Sequence, residues 1–159
     1  MGRWRVFGLI VGAGLVADQV TKLYINSTMS LYQSIPVVQG LFNITYLRNK
    51  GAAFSFLANA VWRLPFFVAV TVAALLVIVV ALRRLRDDQW LAQIALAMIF
   101  AGAVGNLIDR LRLGEVIDFL DVYWRSYHWP AFNLADSLIC IGVALVAVDM
   151  LREERPPVS

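Results

Sequence analysis

The chain has 159 residues, of which 60% are hydrophobic and 16% charged, and its formal net charge is +3. Because soluble domains are only about 45–50% apolar, this composition indicates an integral membrane protein, and the length fits a single domain over residues 1–159. The one cysteine excludes an intrachain disulfide, and the one histidine excludes a zinc site built from several histidines. The modest charge is not typical of a nucleic-acid-binding surface, so no nucleic-acid partner is expected.

Four apolar stretches are each long enough to cross a hydrocarbon layer of about 30 Å as helices. They are residues 6–25, 64–82, 91–108 and 130–149. The first follows two arginines, as a secretory signal does, but no small-residue cleavage site comes after it, so we interpret it as a retained membrane helix. Cys140, within the fourth stretch, is predicted to be a buried and unreactive thiol.

Basic residues crowd the three shortest segments outside these helices. They are Arg3, Arg5, Arg83, Arg84, Arg86, Arg152 and Arg155. Because basic residues concentrate in cytoplasmic segments, we expect both termini in the cytoplasm and the two long connections outside. The first connection, about residues 27–60, contains β-branched and alternating pieces and is predicted to form short strands. The second, rich in aromatic residues, is predicted to rest at the membrane interface.

Carboxylates at or near the outer ends of the predicted helices are the most informative residues of the chain. An ionised carboxylate in the bilayer costs roughly 2.5–3.5 kcal/mol by insertion scales, so it indicates a functional site. The order of the helices places four of them at one face of the membrane. These are Asp18, Asp109, Asp118 and Asp136.

Two of the four aspartates have a basic residue close by in the sequence. Asp18 and Lys22 are one helical turn apart, which predicts an ion pair. Arg110 directly follows Asp109 and could hold a carboxylate or a loop carbonyl in place. A structural role is the simpler interpretation of both pairs, and for Asp18 and Lys22 orientation of a substrate is the alternative.

Asp118 and Asp136 have no cation at helical spacing and are surrounded by apolar residues. If they lie close together, burial and mutual repulsion would make them share one proton. A shared-proton carboxyl pair can activate water and protonate a scissile carbonyl, as in aspartic proteases. Two alternatives stay open, namely a cation site formed with Asp121 and a structural or proton-relay role.

Five short strings, DQVTK, NKGAAFS, GAVGNLIDR, VIDF and FNLADS, occur in this order along the chain. Together they resemble the lipoprotein signal peptidase family, also called signal peptidase II, over nearly the whole chain. The resemblance implies that Asp118 and Asp136 are the catalytic pair. It also implies supporting or substrate-binding roles for Asp18, Lys22, Asn49, Gly51, Asn106, Asp109, Arg110 and Asn133.

The resemblance further implies an all-α membrane fold of four transmembrane helices with a small extracytoplasmic β-cradle, over about residues 27–60, and a short surface helix. The expected activity is removal of the signal peptide from diacylglyceryl-modified bacterial prolipoproteins, by cleavage N-terminal to the lipidated cysteine. No metal or cofactor is implied. The protein is expected to be a monomer in the bacterial inner membrane, in contact with the membrane lipids. Two alternatives remain, a small proton-coupled transporter subunit and a factor that binds lipidated peptide without cleaving it.

Overall fold

The computed structural model describes residues 2–51 and 62–153, and these form long helices together with a small antiparallel sheet. The elements in chain order are α1 (Arg3–Thr28), β1 (Ser34–Val38), β2 (Phe42–Asn49), α2 (Arg63–Arg84), α3 (Trp90–Leu113), β3 (Val116–Trp124), β4 (Tyr127–His128) and α4 (Leu134–Glu153). Within the described ranges, four helices are long and apolar enough to cross a membrane, which confirms the predicted fold class. Residues 52–60 of the predicted cradle lie outside these ranges. The surface helix has no counterpart among the elements described, and it stays a prediction.

α3 is the central helix of the bundle. Half of its most apolar 18-residue stretch is buried inside the protein, against 6–11% for the other helices. The other helices therefore present most of their apolar side chains outward, which is the pattern expected when lipid is the solvent. α3 contacts α1, α2 and α4, so residues near its C-terminal end can meet residues of all three.

The sheet joins the two long connections of the chain. The strand order among the described residues is β1-β2-β3-β4, and all neighbours are antiparallel. β1 and β2 were expected from their alternating residues. β3 was not, because the second connection was predicted only to rest at the interface. Its pairing with β2, in which Asp118 lies opposite Leu47, carries Asp118 into the sheet.

The fourth helix begins at Leu134, four residues later than predicted, because the preceding segment pairs with β3 instead. The backbone N–H of Leu120 donates to the carbonyl of Phe132 at 2.8 Å, and the N–H of Phe132 donates back at 3.0 Å. Pro130, the predicted first residue of the helix, lies instead in this extended segment. The consequence is that Asp136 lies in the first turn of α4.

A small apolar core fixes the sheet against the end of α1. It contains Ile25 from the last turn of α1, Met29 directly after that helix, Tyr46 from β2, and Ile117 and Phe119 from β3. Ile117 and Phe119 are the neighbours of Asp118 in sequence. The core therefore holds the β3 backbone firmly on both sides of that aspartate.

Glycines allow α3 and α4 to approach closely. A Cβ atom at Gly102 would overlap the backbone carbonyl oxygen of Ala135 and would lie 2.8 Å from Ile139 Cγ1. Small residues at such contacts are the usual means by which membrane helices pack backbone to backbone. This contact brings the beginning of α4 against the part of α3 that carries the polar residues.

We predict that Gly102→Ala destabilises the protein, because the added methyl group must force α3 and α4 apart. Overpacking of this kind costs about 1–3 kcal/mol, so the melting temperature of the detergent-solubilised protein should fall. Gly12→Ala is the matched control, since a Cβ there meets no other atom within 4 Å. A Gly102→Ala protein whose melting temperature equals or exceeds that of Gly12→Ala would contradict the close contact between α3 and α4.

Candidate active site

Asp136 is held at the start of α4 by a reciprocal pair of hydrogen bonds with Asn133. The N–H of Asp136 donates to Asn133 Oδ1 at 2.9 Å, and the N–H of Asn133 donates to Asp136 Oδ2 at 3.2 Å. This is the arrangement of a capping box, with aspartate in the place of glutamate or glutamine. The positive end of the helix dipole also favours a negative charge here. The start of α4 therefore fixes the position of this side chain.

Asp118 enters the same site from β3 and is only 3% exposed. Its carboxyl group accepts hydrogen bonds from Asn133 Nδ2 at 2.8 Å and from Asn49 Nδ2 at 3.1 Å. Burial, and after it the negative charge of Asp136, raises the pKa of Asp118 from the ordinary value of 3.8 to about 7. The Asp118 carboxyl group therefore holds its proton to a much higher pH than an ordinary aspartate does.

Two buried asparagines connect the aspartates. Asn133 Nδ2, which donates to Asp118, also lies 3.2 Å from Asn106 Oδ1. Asn106 Nδ2 in turn donates to Asp136 Oδ1 at 2.7 Å. The structure thus brings Asp118 and Asp136, from distant parts of the sequence, into one continuous hydrogen-bonded group.

Lys22 lies directly behind this group and is 1% exposed. Its Nζ atom is 3.0 Å from Asp18 Oδ2, 2.9 Å from Asp109 Oδ2 and 3.0 Å from Asn106 Oδ1. The predicted ion pair between Asp18 and Lys22 is therefore confirmed. Asp109 is bound by Lys22 and not by the neighbouring Arg110. Lys22 lies in another helix, so the local sequence around Asp109 does not indicate this partner.

Arg110 points toward the opening of the site. Its guanidinium lies over the ring of Phe67, 4.8 Å from the centroid, and Arg110 Nη2 is 3.4 Å from the carbonyl oxygen of Gly51. The second of these contacts agrees with the alternative that Arg110 holds a loop carbonyl. Asn49 Oδ1 also accepts from the N–H of Gly51 at 2.9 Å. Residues 52–55 of the NKGAAFS string lie outside the described residues.

A cavity of about 880 Å³ opens beside the two aspartates. Side chains of α2, α3 and α4 form its walls, and most of them are apolar. Asp118, Asp136, Asn49, Asn106 and Arg110 line its polar part, whereas Val70, Ala74, Ile99, Ala103 and Ile139 are among its apolar residues. Such a shape can hold a polar chain beside the aspartates and apolar groups between the helices.

One prediction about a single residue and one about a grouping are corrected by the structure. Cys140 is exposed and lines the cavity, because the face of α4 that carries it is turned toward the cavity instead of the core. Asp121 does not join Asp118, but accepts from Asn43 Nδ2 at 2.8 Å and contacts His128 Nδ1 at 2.8 Å. Within the ranges 2–51 and 62–153, no three His, Cys, Asp or Glu side chains form a group that could hold a metal ion.

One polar residue of this network was missed by the sequence analysis. Gln19 Nε2 donates to Asp18 Oδ2 at 3.0 Å and lies 3.3 Å from Asp109 Oδ1. The only signal in the sequence is its position inside the DQVTK string, directly after Asp18.

A membrane helix bundle with two aspartates that are joined through asparagines at the mouth of a cavity has the architecture of a membrane aspartic protease. The family model described as "Signal peptidase (SPase) II" matches residues 10–152 of the chain. The "Lipoprotein signal peptidase" of Geobacter sulfurreducens is 70% identical, with 96% of this chain and 95% of the relative covered. That of Syntrophotalea carbinolica is 45% identical, with 96% and 95% covered.

Solved structures agree with the sequence comparison. A structure described as "Bacterial membrane enzyme structure by the in meso method at 2.3 A resolution" superposes with a TM-score of 0.86 at 35% identity, covering 96% of this chain and 93% of the other. The chain belongs to the signal peptidase II family. It is a bacterial membrane protein and an aspartic protease that removes signal peptides from prolipoproteins. None of the relatives named here is described as a transporter.

The raised pKa of Asp118 predicts how stability depends on pH. Because the folded protein holds this proton more tightly than the unfolded chain does, the stabilisation is complete below pH 3.8 and is lost as the pH rises through about 7. The loss amounts to at most about 4 kcal/mol at 1.36 kcal/mol per pKa unit. Asp118→Asn should therefore melt above the wild type at pH 8, and the difference should vanish near pH 4. If the two proteins differed in melting temperature by the same amount at both pH values, the raised pKa of the buried Asp118 carboxyl group would be contradicted.

Proposed function

We propose that Asp118 and Asp136 are the catalytic pair of this peptidase. The observation that carries the proposal is their shared position on one cavity, joined by Asn133 and Asn106. Two carboxyl groups in one buried site are suited to hold a single proton between them, with one acting as base and the other as acid. The surrounding amides leave both carboxyl groups accessible from the cavity.

The environments of the two aspartates support an assignment of their roles. Asp136, at the positive end of α4 and with two N–H donors, acts as the base that takes a proton from water. Asp118, whose pKa is raised to about 7, donates its proton to the scissile carbonyl oxygen. The water oxygen bonds to the carbonyl carbon and gives a tetrahedral intermediate. Its collapse breaks the C–N bond: the proton on Asp136 passes to the leaving amine, and a hydroxyl group of the intermediate returns its proton to Asp118 as the carbonyl group re-forms.

The cavity supports a substrate whose cleavage site is attached to lipid. We propose that the peptide lies extended beside Asn49, Gly51 and Arg110, where amide and guanidinium donors can bind its carbonyl groups. The acyl chains of a diacylglyceryl-modified cysteine would lie between α2 and α4 on the apolar walls, where each buried CH₂ contributes about 0.8 kcal/mol. Cleavage then falls N-terminal to that cysteine. All these residues come from one chain, which is consistent with an active monomer.

We predict that Asp118→Asn and Asp136→Asn each lower kcat by at least about 10³-fold while the protein stays folded in the membrane, because neither can complete the proton transfers. The assay is cleavage of a purified diacylglyceryl-modified prolipoprotein. Asp121→Asn is the control on the same strand and should keep activity within a few-fold, since Asp121 contacts Asn43 and His128 instead. Near-normal turnover in either pair variant would refute the pair. Bound but uncleaved substrate with the wild type would instead indicate a binding factor.

We further propose that the termini are cytoplasmic and that the site faces outward. The exposed tryptophans support the positions of the two membrane–water interfaces: Trp4 and Trp90 lie at one end of the helices, and Trp62, Trp124 and Trp129 lie at the other. The arginines beside α1, α2 and α4 cluster at the first of these ends.

Reporter fusions test this orientation. Alkaline phosphatase fused after Ser126, in the turn between β3 and β4, should be active because it is exported. The same enzyme fused at the C-terminus should be inactive, whereas a fluorescent protein fused there should fluoresce. The reverse pattern would contradict the proposed orientation.

A further inference from the structure

Each catalytic aspartate follows a residue whose backbone N–H is held by another carboxylate. The N–H of Ala135, directly before Asp136, donates to Asp18 Oδ1 at 3.0 Å. The N–H of Ile117, directly before Asp118, donates to Asp109 Oδ2 at 3.2 Å. The backbone beneath each member of the pair is thus fixed by a carboxylate from a neighbouring helix.

The two holding carboxylates are tied to each other by two side chains of α1. Lys22 Nζ bridges them, at 3.0 Å from Asp18 Oδ2 and 2.9 Å from Asp109 Oδ2. Gln19 Nε2 bridges them a second time, at 3.0 Å from Asp18 Oδ2 and 3.3 Å from Asp109 Oδ1. Together, Asp18, Gln19, Lys22 and Asp109 form one clamp, which we call the carboxylate clamp.

The orientation of the Gln19 amide is fixed by its surroundings. Its nitrogen faces three acceptors, the two carboxylates and the carbonyl of Gly105 at 3.3 Å. Its oxygen faces a donor, Arg112 Nη1, at 3.5 Å. The opposite orientation would turn the oxygen toward two carboxylates. Gln19 is not among the residues that line the cavity, so it acts on the reaction only through its neighbours.

We propose that Gln19 is a positioning residue of the peptidase: through the carboxylate clamp it sets the separation of Asp118 and Asp136. This rests on the proposed roles of those two aspartates. Lys22 supplies the charge that keeps two buried carboxylates together. Gln19 supplies a second bridge that stops Asp109 from rotating about the ammonium group, since it contacts Asp109 Oδ1, whereas Lys22 contacts Asp109 Oδ2, and both meet Asp18 at Oδ2 from different positions on α1.

Catalysis should be sensitive to this separation. Proton transfer in both directions requires the two carboxyl groups to reach the same water and the same carbonyl, and a misplacement of about 1 Å can lower a rate about 100-fold. Binding of the lipidated peptide depends on the residues that line the cavity, and Gln19 is not one of them. Loss of Gln19 should therefore change kcat and leave KM nearly unaltered.

Gln19→Met tests the inference, because methionine keeps the length of the side chain and loses the amide. We expect kcat on the purified prolipoprotein to fall between about 10-fold and 100-fold, with KM within twofold and the melting temperature close to that of the wild type. Gln19→Glu, which faces Asp18 and Asp109 with a third carboxylate, should lose at least as much. Thr21→Val is the matched control, since Thr21 Oγ1 donates only within its own helix, to the carbonyls of Ala17 and Asp18; it should keep full activity.

Three outcomes would overturn the inference. The first is a Gln19→Met enzyme with kcat within twofold of the wild type. The second is a loss that lies in KM alone. The third is a fall in melting temperature or in folded yield that accompanies the fall in kcat, which would make Gln19 merely structural. Asp118→Asn and Asp136→Asn, assayed in parallel, separate the two proposals: if they stay active, the catalytic pair fails, and if only Gln19→Met stays active, the clamp alone fails.

Discussion

The buried ammonium group of Lys22 is the interaction on which the rest of the site depends. Removing such a charge from water costs several kcal/mol, and that cost is offset only when every donor finds an acceptor. Here the ammonium meets two carboxylates and one amide oxygen, all within 3.0 Å. Among residues 2–51 and 62–153, no buried side-chain nitrogen or oxygen atom lacks a hydrogen-bond partner. The network therefore specifies one arrangement of three helices rather than adding much net stability.

This network can form only because α3 offers small residues where the helices meet. A Cβ atom at Gly105 would lie 2.5 Å from Asp18 Oδ2, in the space that the carboxylate needs to reach both Lys22 and α4. Gly102, one turn earlier, lets the backbone of Ala135 approach α3. The GAVG segment therefore has a double effect, since it packs two membrane helices closely and leaves room for the polar groups between them.

The sequence predicts those features that depend on near neighbours. The ion pair of Asp18 and Lys22 follows from a spacing of one helical turn, and β1 and β2 follow from their alternating residues. β3 was missed because VIDF is a short apolar run, which periodicity does not distinguish from other buried segments. Its partner strand lies far earlier in the chain, so the pairing that decides its conformation has no local signal. The start of α4 was misplaced for the same reason, since pairing of Phe132 with Leu120 overrides the preference of proline for the first turn of a helix.

Two identical side chains become different in this site through the backbone that carries them. Asp136 lies on a helix, where the first turn has free N–H groups and a favourable dipole for a negative charge. Asp118 lies on a strand, which offers no comparable dipole, and it is 3% exposed between apolar neighbours. Burial and the charge of its partner then favour the protonated form of Asp118. The proposed division into acid and base thus corresponds to the difference between a buried strand and a helix N-terminus, and that difference exists before any substrate binds.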